Sequence, residues 1–135
     1  DIVPIARAAL DGGAEALTLT NTVLGMVIDP ETRRPVLGSG GGGLSGPAMR
    51  PVSVRAVFDV YAALGPVPII GVGGVTAAEH VAEFMIAGAS AVQVGTAHFA
   101  DPKASWRILR DLERWCRRGH VSSIRSLTGA AHGSA

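Results

Sequence analysis

An α/β fold built on parallel strands is predicted by three observations. Short apolar runs alternate with longer segments of helical period, and each run ends in a glycine or a small polar pair. The last two runs begin about two dozen residues apart, the spacing of a compact βα unit. The 135 residues are 47% hydrophobic and 17% charged, which suits one globular domain with a real core.

The elements follow in order. Ile2, Ile5, Ala6, Ala9 and Leu10 recur at helical spacing before Gly12-Gly13, so the chain opens on an amphipathic helix with a glycine stop. Residues 16–20 read as a short strand that delivers Asn21-Thr22. Gly25-Met26-Val27-Ile28-Asp29 and Arg33-Arg34-Pro35-Val36-Leu37 read as a small hairpin inside a long excursion, and Gly38–Gly46 as a glycine-rich loop. Pro51 suits the first position of a helix that keeps Val54, Val57, Phe58, Tyr61 and Leu64 on one face until Gly65-Pro66. Residues 67–72 are almost wholly apolar, as in a parallel strand covered by helices, and Gly73-Gly74 breaks them. Thr76 and Glu79 have the spacing of a capping box for the next helix, which Gly88 closes. Residues 91–94 form the third strand, ending at Gly95-Thr96, and Asp101-Pro102 opens a last helix carrying Trp106, Leu109, Leu112, Trp115 and Cys116, with both tryptophans expected in the core.

Three parallel strands leave two open edges, and a chain that starts on a helix lacks the strand that normally feeds it. Since a complete (β/α)₈ TIM barrel takes roughly 250 residues, the expectation is that residues 1–135 form the C-terminal portion of one, a partial domain whose N-terminal half is absent. The twelve Lys and Arg against eleven Asp and Glu form no long block, which disfavours nucleic acid as a partner. One cysteine excludes an internal disulfide framework, and no apolar run approaches the roughly 18 to 20 residues of a membrane span. A soluble cytoplasmic protein, with no membrane association, is expected.

The residues that could carry chemistry cluster at strand ends. Asn21-Thr22, Gly73-Gly74 and Gly95-Thr96 all fall at C-terminal ends, where parallel α/β proteins bind ligands and where the last two loops of a barrel commonly hold a phosphate on backbone N–H groups. Taken singly, Gly73-Gly74 reads more readily as a tight strand-to-helix turn and Ser39-Gly40-Gly41-Gly42-Gly43 as a flexible linker; the pairing with Gly95-Thr96 on the next strand is what makes phosphate binding an equal reading. A dinucleotide fold competes, because Gly71-Val72-Gly73-Gly74-Val75-Thr76 begins like G-x-G-x-x-G; Thr76 replaces the third glycine, and no acidic residue ends the following strand. Cys116 reads as structural, His98 as a surface or capping residue, and the four histidines have no metal spacing.

At Gly42-Gly43-Leu44-Ser45-Gly46-Pro47-Ala48-Met49-Arg50-Pro51 the chain closely resembles the dihydroorotate dehydrogenase family, specifically its class 1 NAD-linked form. Four further segments match in the same order: 21–26, 68–74, 87–96 and 127–132. The resemblance implies FMN as cofactor, dihydroorotate and orotate as substrate and product, and a place in pyrimidine (UMP) biosynthesis. By it, Asn21 and Thr22 would bind the substrate, Thr20 would lie beside the flavin, and Gly46, Gly73, Gly74, Gly95 and Thr96 would contact FMN. It also implies an electron-transfer subunit carrying FAD and an iron–sulfur cluster, and a homo- or hetero-oligomer.

One departure stands out. Class 1 enzymes use a cysteine on a loop earlier in the barrel as the base, and no cysteine occupies such a place here, so no catalytic residue is expected within the chain. Two alternatives stay open: a flavin barrel like that of dihydropyrimidine dehydrogenase, and a truncated, non-catalytic half-barrel.

Overall fold

The computed structural model describes residues 1–133. Helix α1, Ile2–Asp11, is capped by Asp1, whose carboxylate accepts from the Val3 N–H. Strand β1, Leu17–Leu19, follows, and then an excursion of two stacked antiparallel pairs. Its outer pair joins β2, Val23–Gly25, to the later β5, Gly42–Leu44; its inner pair joins β3, Ile28–Asp29, to β4, Arg34–Pro35. A 3₁₀ turn over Pro47–Met49 leads into α2, Arg50–Leu64. After it come β6, Ile69–Val72; α3, Ala78–Ala87; β7, Ala91–Gln93; a short helix α4, Ala97–Ala100; and α5, Ala104–Arg118. Two 3₁₀ turns, Ile124–Leu127 and Ala130–His132, end the described chain.

The main sheet is parallel, in the order β1-β6-β7, with Leu17 opposite Ile69 and Ile70 opposite Ala91. Because that order follows the chain without reversal, right-handed crossovers place every connecting helix on one face. Accordingly α1 packs on α2, α2 on α3, and α3 on α5. The sheet shows this in its alternation. Leu17, Leu19, Ile69 and Gly71 are buried beneath the helices, whereas Thr18, Ala91 and Gln93 on the opposite face are exposed.

Phe84, Ile69, Val57 and Val60 are fully buried and join α3, β6 and α2. Gly71 is where helix and sheet meet most closely, since a Cβ there would overlap the Phe84 ring. The terminal segment closes the lower end of this layer. Thr128 Oγ1 donates to Ala89 O at 3.1 Å, His132 Nε2–H donates to Ala87 O at 3.0 Å, and the His132 ring stacks on Phe58 at 4.1 Å.

Three expectations need correction. The capping box does not form: α3 starts at Ala78 without a side-chain cap, and Thr76 turns its N–H and hydroxyl to His80 Nδ1, each at 3.2 Å. An imidazole one turn into the helix thus takes the place that Glu79 was expected to fill. Trp106 is 60% exposed, not core; α5 buries Ala104 and Ile108 against α3, and Trp106 lies outside with Arg110 over its ring at 4.5 Å. Within the glycine-rich loop, residues 42–44 are strand, paired with β2 across Gly43 opposite Leu24.

Candidate active site

The C-terminal ends of β1, β6 and β7 open onto one cleft of ≈ 200 Å³. Every residue to which the sequence reading gave a substrate- or cofactor-binding role lines it: Thr20, Asn21 and Thr22 after β1, Gly46 before α2, Gly73 and Gly74 after β6, and Gly95 and Thr96 after β7. Sequence reasoning missed Ser45, Met49, Val72, Val75, Thr76 and Ala97, which complete the lining. Ser45 and Met49 flank Gly46 and could have been included by adjacency; Thr76 had been assigned to the helix cap.

Gly73 and Gly74 do two jobs. A Cβ on Gly73, whose φ is +131°, would overlap the Ser53 hydroxyl. One on Gly74 would stand 2.7 Å from Gly46 O and 2.8 Å from the Arg50 backbone nitrogen. These glycines therefore let the start of α2 press against the end of β6, and that contact draws Gly46 and Met49 into the cleft wall. Gly95 differs, because a Cβ there meets no protein atom within 4 Å. Its turn is held from below by His98, whose Nδ1–H donates to Gly95 O at 3.1 Å while Nε2 accepts from the Ser105 hydroxyl at 2.9 Å. His98 thus has the capping position expected of it.

Among the described residues, the N–H groups of Gly73, Gly74, Gly95, Thr96 and Ala97 donate to no backbone acceptor outside regular helices and strands. All five residues line the one cleft, and strand-end N–H groups left without a protein acceptor there suit an anion. Helix α2 starts at the same wall without a side-chain cap, adding its positive end. The Arg50 guanidinium pairs through Nη1 with Glu83 on α3, and its buried Nε has no hydrogen-bond partner among the described residues. Burial, and then the positive charge of Arg50, hold His80 below its ordinary pKa, with Glu83 and Glu79 offsetting part of the effect. A neutral His80 is the form that accepts from Thr76.

At the other end of the cleft, Asn21 Oδ1 accepts from the Thr22 N–H at 2.8 Å. This fixes the side-chain amide and leaves its NH₂ as a donor at the cleft wall. The exposed Thr22 side chain sits against Gly43, where a Cβ would overlap its hydroxyl, so β5 must carry glycine at that point. No Cys, Asp, Glu, His or Lys lines the cleft among the described residues. Cys116 lies half-buried in α5, away from it.

Comparison with known proteins now decides the family. A family model described as "Dihydroorotate dehydrogenase" matches residues 1–115. The chain belongs to the dihydroorotate dehydrogenase family. It is 51% identical over 130 residues to a protein of Geobacter sp. (strain M21), described as the catalytic subunit of dihydroorotate dehydrogenase B (NAD(+)), covering 96% of this chain and 42% of that one. A protein of the same description from Desulforamulus reducens is 49% identical over 132 residues, covering 98% and 43%. Among solved structures, a dihydroorotate dehydrogenase from Eimeria tenella, crystallised with ferulenol, superposes with a TM-score of 0.80 at 29% identity, over 98% of this chain and 35% of that one. The chain therefore spans less than half the length of these family members.

Among the described residues, no helix is long and apolar enough to cross a membrane, and no His/Cys/Asp/Glu cluster could hold a metal ion.

Proposed function

We propose that this chain forms the FMN-phosphate-binding part of a dihydroorotate dehydrogenase, which oxidises dihydroorotate to orotate in pyrimidine biosynthesis. The observation that carries this is that Gly73-Gly74 and Gly95-Thr96, whose N–H groups have no backbone acceptor among the described residues, line one cleft, with room for a ligand atom beside Gly95. That cradle fits a phosphate dianion held by backbone N–H groups, as at the last two strands of a barrel. Strands lie roughly 4.8 Å apart, so Thr20, just past β1, is about two spacings, roughly 10 Å, from Gly95, just past β7. An elongated ligand whose phosphate is anchored at Gly95-Thr96 reaches Thr20 with its ring end.

When bound, FMN supplies the acceptor for the hydride that leaves C6 of dihydroorotate. The residues of this chain bind and orient. Gly46, Gly73, Gly74, Gly95 and Thr96 hold the cofactor, and Thr20 borders its ring. Asn21, its amide oriented by the Thr22 N–H, donates to the substrate carboxylate, and Thr22 completes the pocket beside it. The C5 proton needs a base, and the cleft lining offers none; the base belongs to a part of the protein outside these residues.

The same reading makes residues 1–135 the C-terminal part of a (β/α)₈ barrel. In support, the sheet is wound in one direction with all helices on one side, and its opposite face carries Thr18, Ala91 and Gln93 exposed where a barrel interior would be. Electron transfer to NAD would pass through a second subunit with FAD and an iron–sulfur cluster.

The test is an absorbance spectrum of the full-length protein after equilibration with FMN and removal of free flavin, followed by stepwise addition of orotate. Retained flavin whose band shifts with orotate, and is unmoved by uracil, supports the proposal. Absence of flavin, or equal response to uracil, argues for the non-catalytic or dihydropyrimidine dehydrogenase-like alternative respectively.

A further inference from the structure

We infer that Ser53 is a positioning residue that fixes Thr20 as a hydrogen-bond donor into the cleft, toward an acceptor atom on the ring end of the bound flavin. The inference rests on the FMN reading given above and assigns a chemistry to the cleft floor. Ser53 lies in the first turn of α2 and is fully buried. Among the described residues its hydroxyl has one hydrogen-bond partner, Thr20 Oγ1, at 2.9 Å.

Geometry alone allows either hydroxyl to donate, but burial decides between them. If Thr20 donated, the Ser53 proton would have to point into protein without an acceptor, since among the described residues the Ser53 hydroxyl makes no hydrogen bond other than that to Thr20. An unsatisfied buried donor costs far more than an unused lone pair. Ser53 therefore donates and Thr20 accepts. The Thr20 proton is left over, and Thr20 lines the cleft. The β-branched side chain has few staggered settings, and the bond to Ser53 selects one of them. Its backbone is held as well, because the Thr20 N–H donates to Val72 O at 3.0 Å across to β6.

The cleft floor thus presents a donor with a set direction beside Gly73 and two strands away from Gly95-Thr96. The matching group on the ligand is an acceptor, a ring carbonyl oxygen or an unprotonated ring nitrogen. Ser53 never touches the ligand; it acts through Thr20, and its hydroxyl fills the space that glycine at 73 leaves.

The experiment is a double-mutant cycle in the full-length protein, with FMN and riboflavin affinities measured by flavin fluorescence and the spectrum of the bound flavin recorded for each variant. Thr20→Val should weaken both flavins by about two- to tenfold, the range of one neutral hydrogen bond. Ser53→Ala should weaken both by a smaller factor and move the bound-flavin spectrum in the same direction. In the Thr20→Val background Ser53→Ala should change nothing further, and Thr20→Ser should restore affinity and spectrum. Thermal melting of the flavin-free variants separates these effects from a loss of folding. Wild-type affinity and spectrum in both single variants would overturn the inference, as would strictly additive losses or a loss confined to FMN. A wild-type protein that binds no flavin would instead overturn the reading on which the inference rests.

Discussion

Gly95→Ala separates ligand binding from folding at this site. The residue lines the cleft, and a Cβ built on it meets no protein atom within 4 Å. Its φ is also outside the left-handed region that penalises a side chain, unlike those of Gly73 and Gly74. The substitution should therefore change stability by no more than about 0.5 kcal/mol, as for a surface change without new contacts. Binding is another matter, because the added methyl stands where a phosphate oxygen must approach the backbone. Losing one charge-assisted hydrogen bond costs about 1.5–3 kcal/mol, or roughly one to two orders of magnitude in FMN affinity. Urea denaturation of the flavin-free protein gives the first quantity, and fluorescence titration with FMN gives the second. Riboflavin, which lacks the phosphate, is the internal control and should lose much less. Equal weakening of both flavins, or unaltered FMN binding, would refute a phosphate at Gly95.

Gly74→Ala, by contrast, should damage both properties: its φ of +73° and the 2.7–2.8 Å approach to Gly46 O and Arg50 imply a loss of about 2–4 kcal/mol from strain and overpacking, measurable as a lower urea midpoint. Asn21→Ala should leave FMN bound and weaken orotate by about tenfold or more, since a donor to a carboxylate is lost; the orotate-induced shift of the flavin band reads this directly. Burial and then Arg50 hold the His80 pKa below its ordinary value in the fold, so the unfolded chain takes up a proton more readily. Stability is therefore full above the ordinary imidazole pKa of about 6.5 and falls as the pH drops through and below it. Melting temperature against pH should lose part of that slope in His80→Gln. Cys116→Ser should leave flavin binding and turnover of the full-length protein unchanged, because Cys116 is half-buried in α5, away from the cleft.

Much of this arrangement was legible in the sequence because the fold is built from signals that local physics makes strong. Gly12, Gly65, Gly88 and Gly119 stop helices where the apolar period ends, and each sits at the C-cap of a helix. The parallel strands announce themselves by apolar runs that end in glycine or a small polar pair. What escaped was decided by tertiary contact. Helix α5 carries two apolar stripes, one through Ala104 and Ile108 and one through Trp106 and Leu109, and helical period cannot choose between them. Packing on α3 selects the stripe with the smaller residue, and Trp106 is left outside. Thr76 has a capping sequence, yet the His80 imidazole reaches its N–H and hydroxyl instead. The bond between Ser53 and Thr20 joins residues 33 positions apart, and nothing in the local sequence of either signals it.

The most direct measurement is an amide-resolved NMR titration of the isotopically labelled full-length protein with FMN and, separately, with riboflavin. The account predicts that the shifts specific to FMN fall on the N–H groups of Gly73, Gly74, Gly95 and Thr96, while Thr20 and Asn21 respond to both flavins. Phosphate-specific shifts elsewhere, with these four amides unmoved, would contradict it.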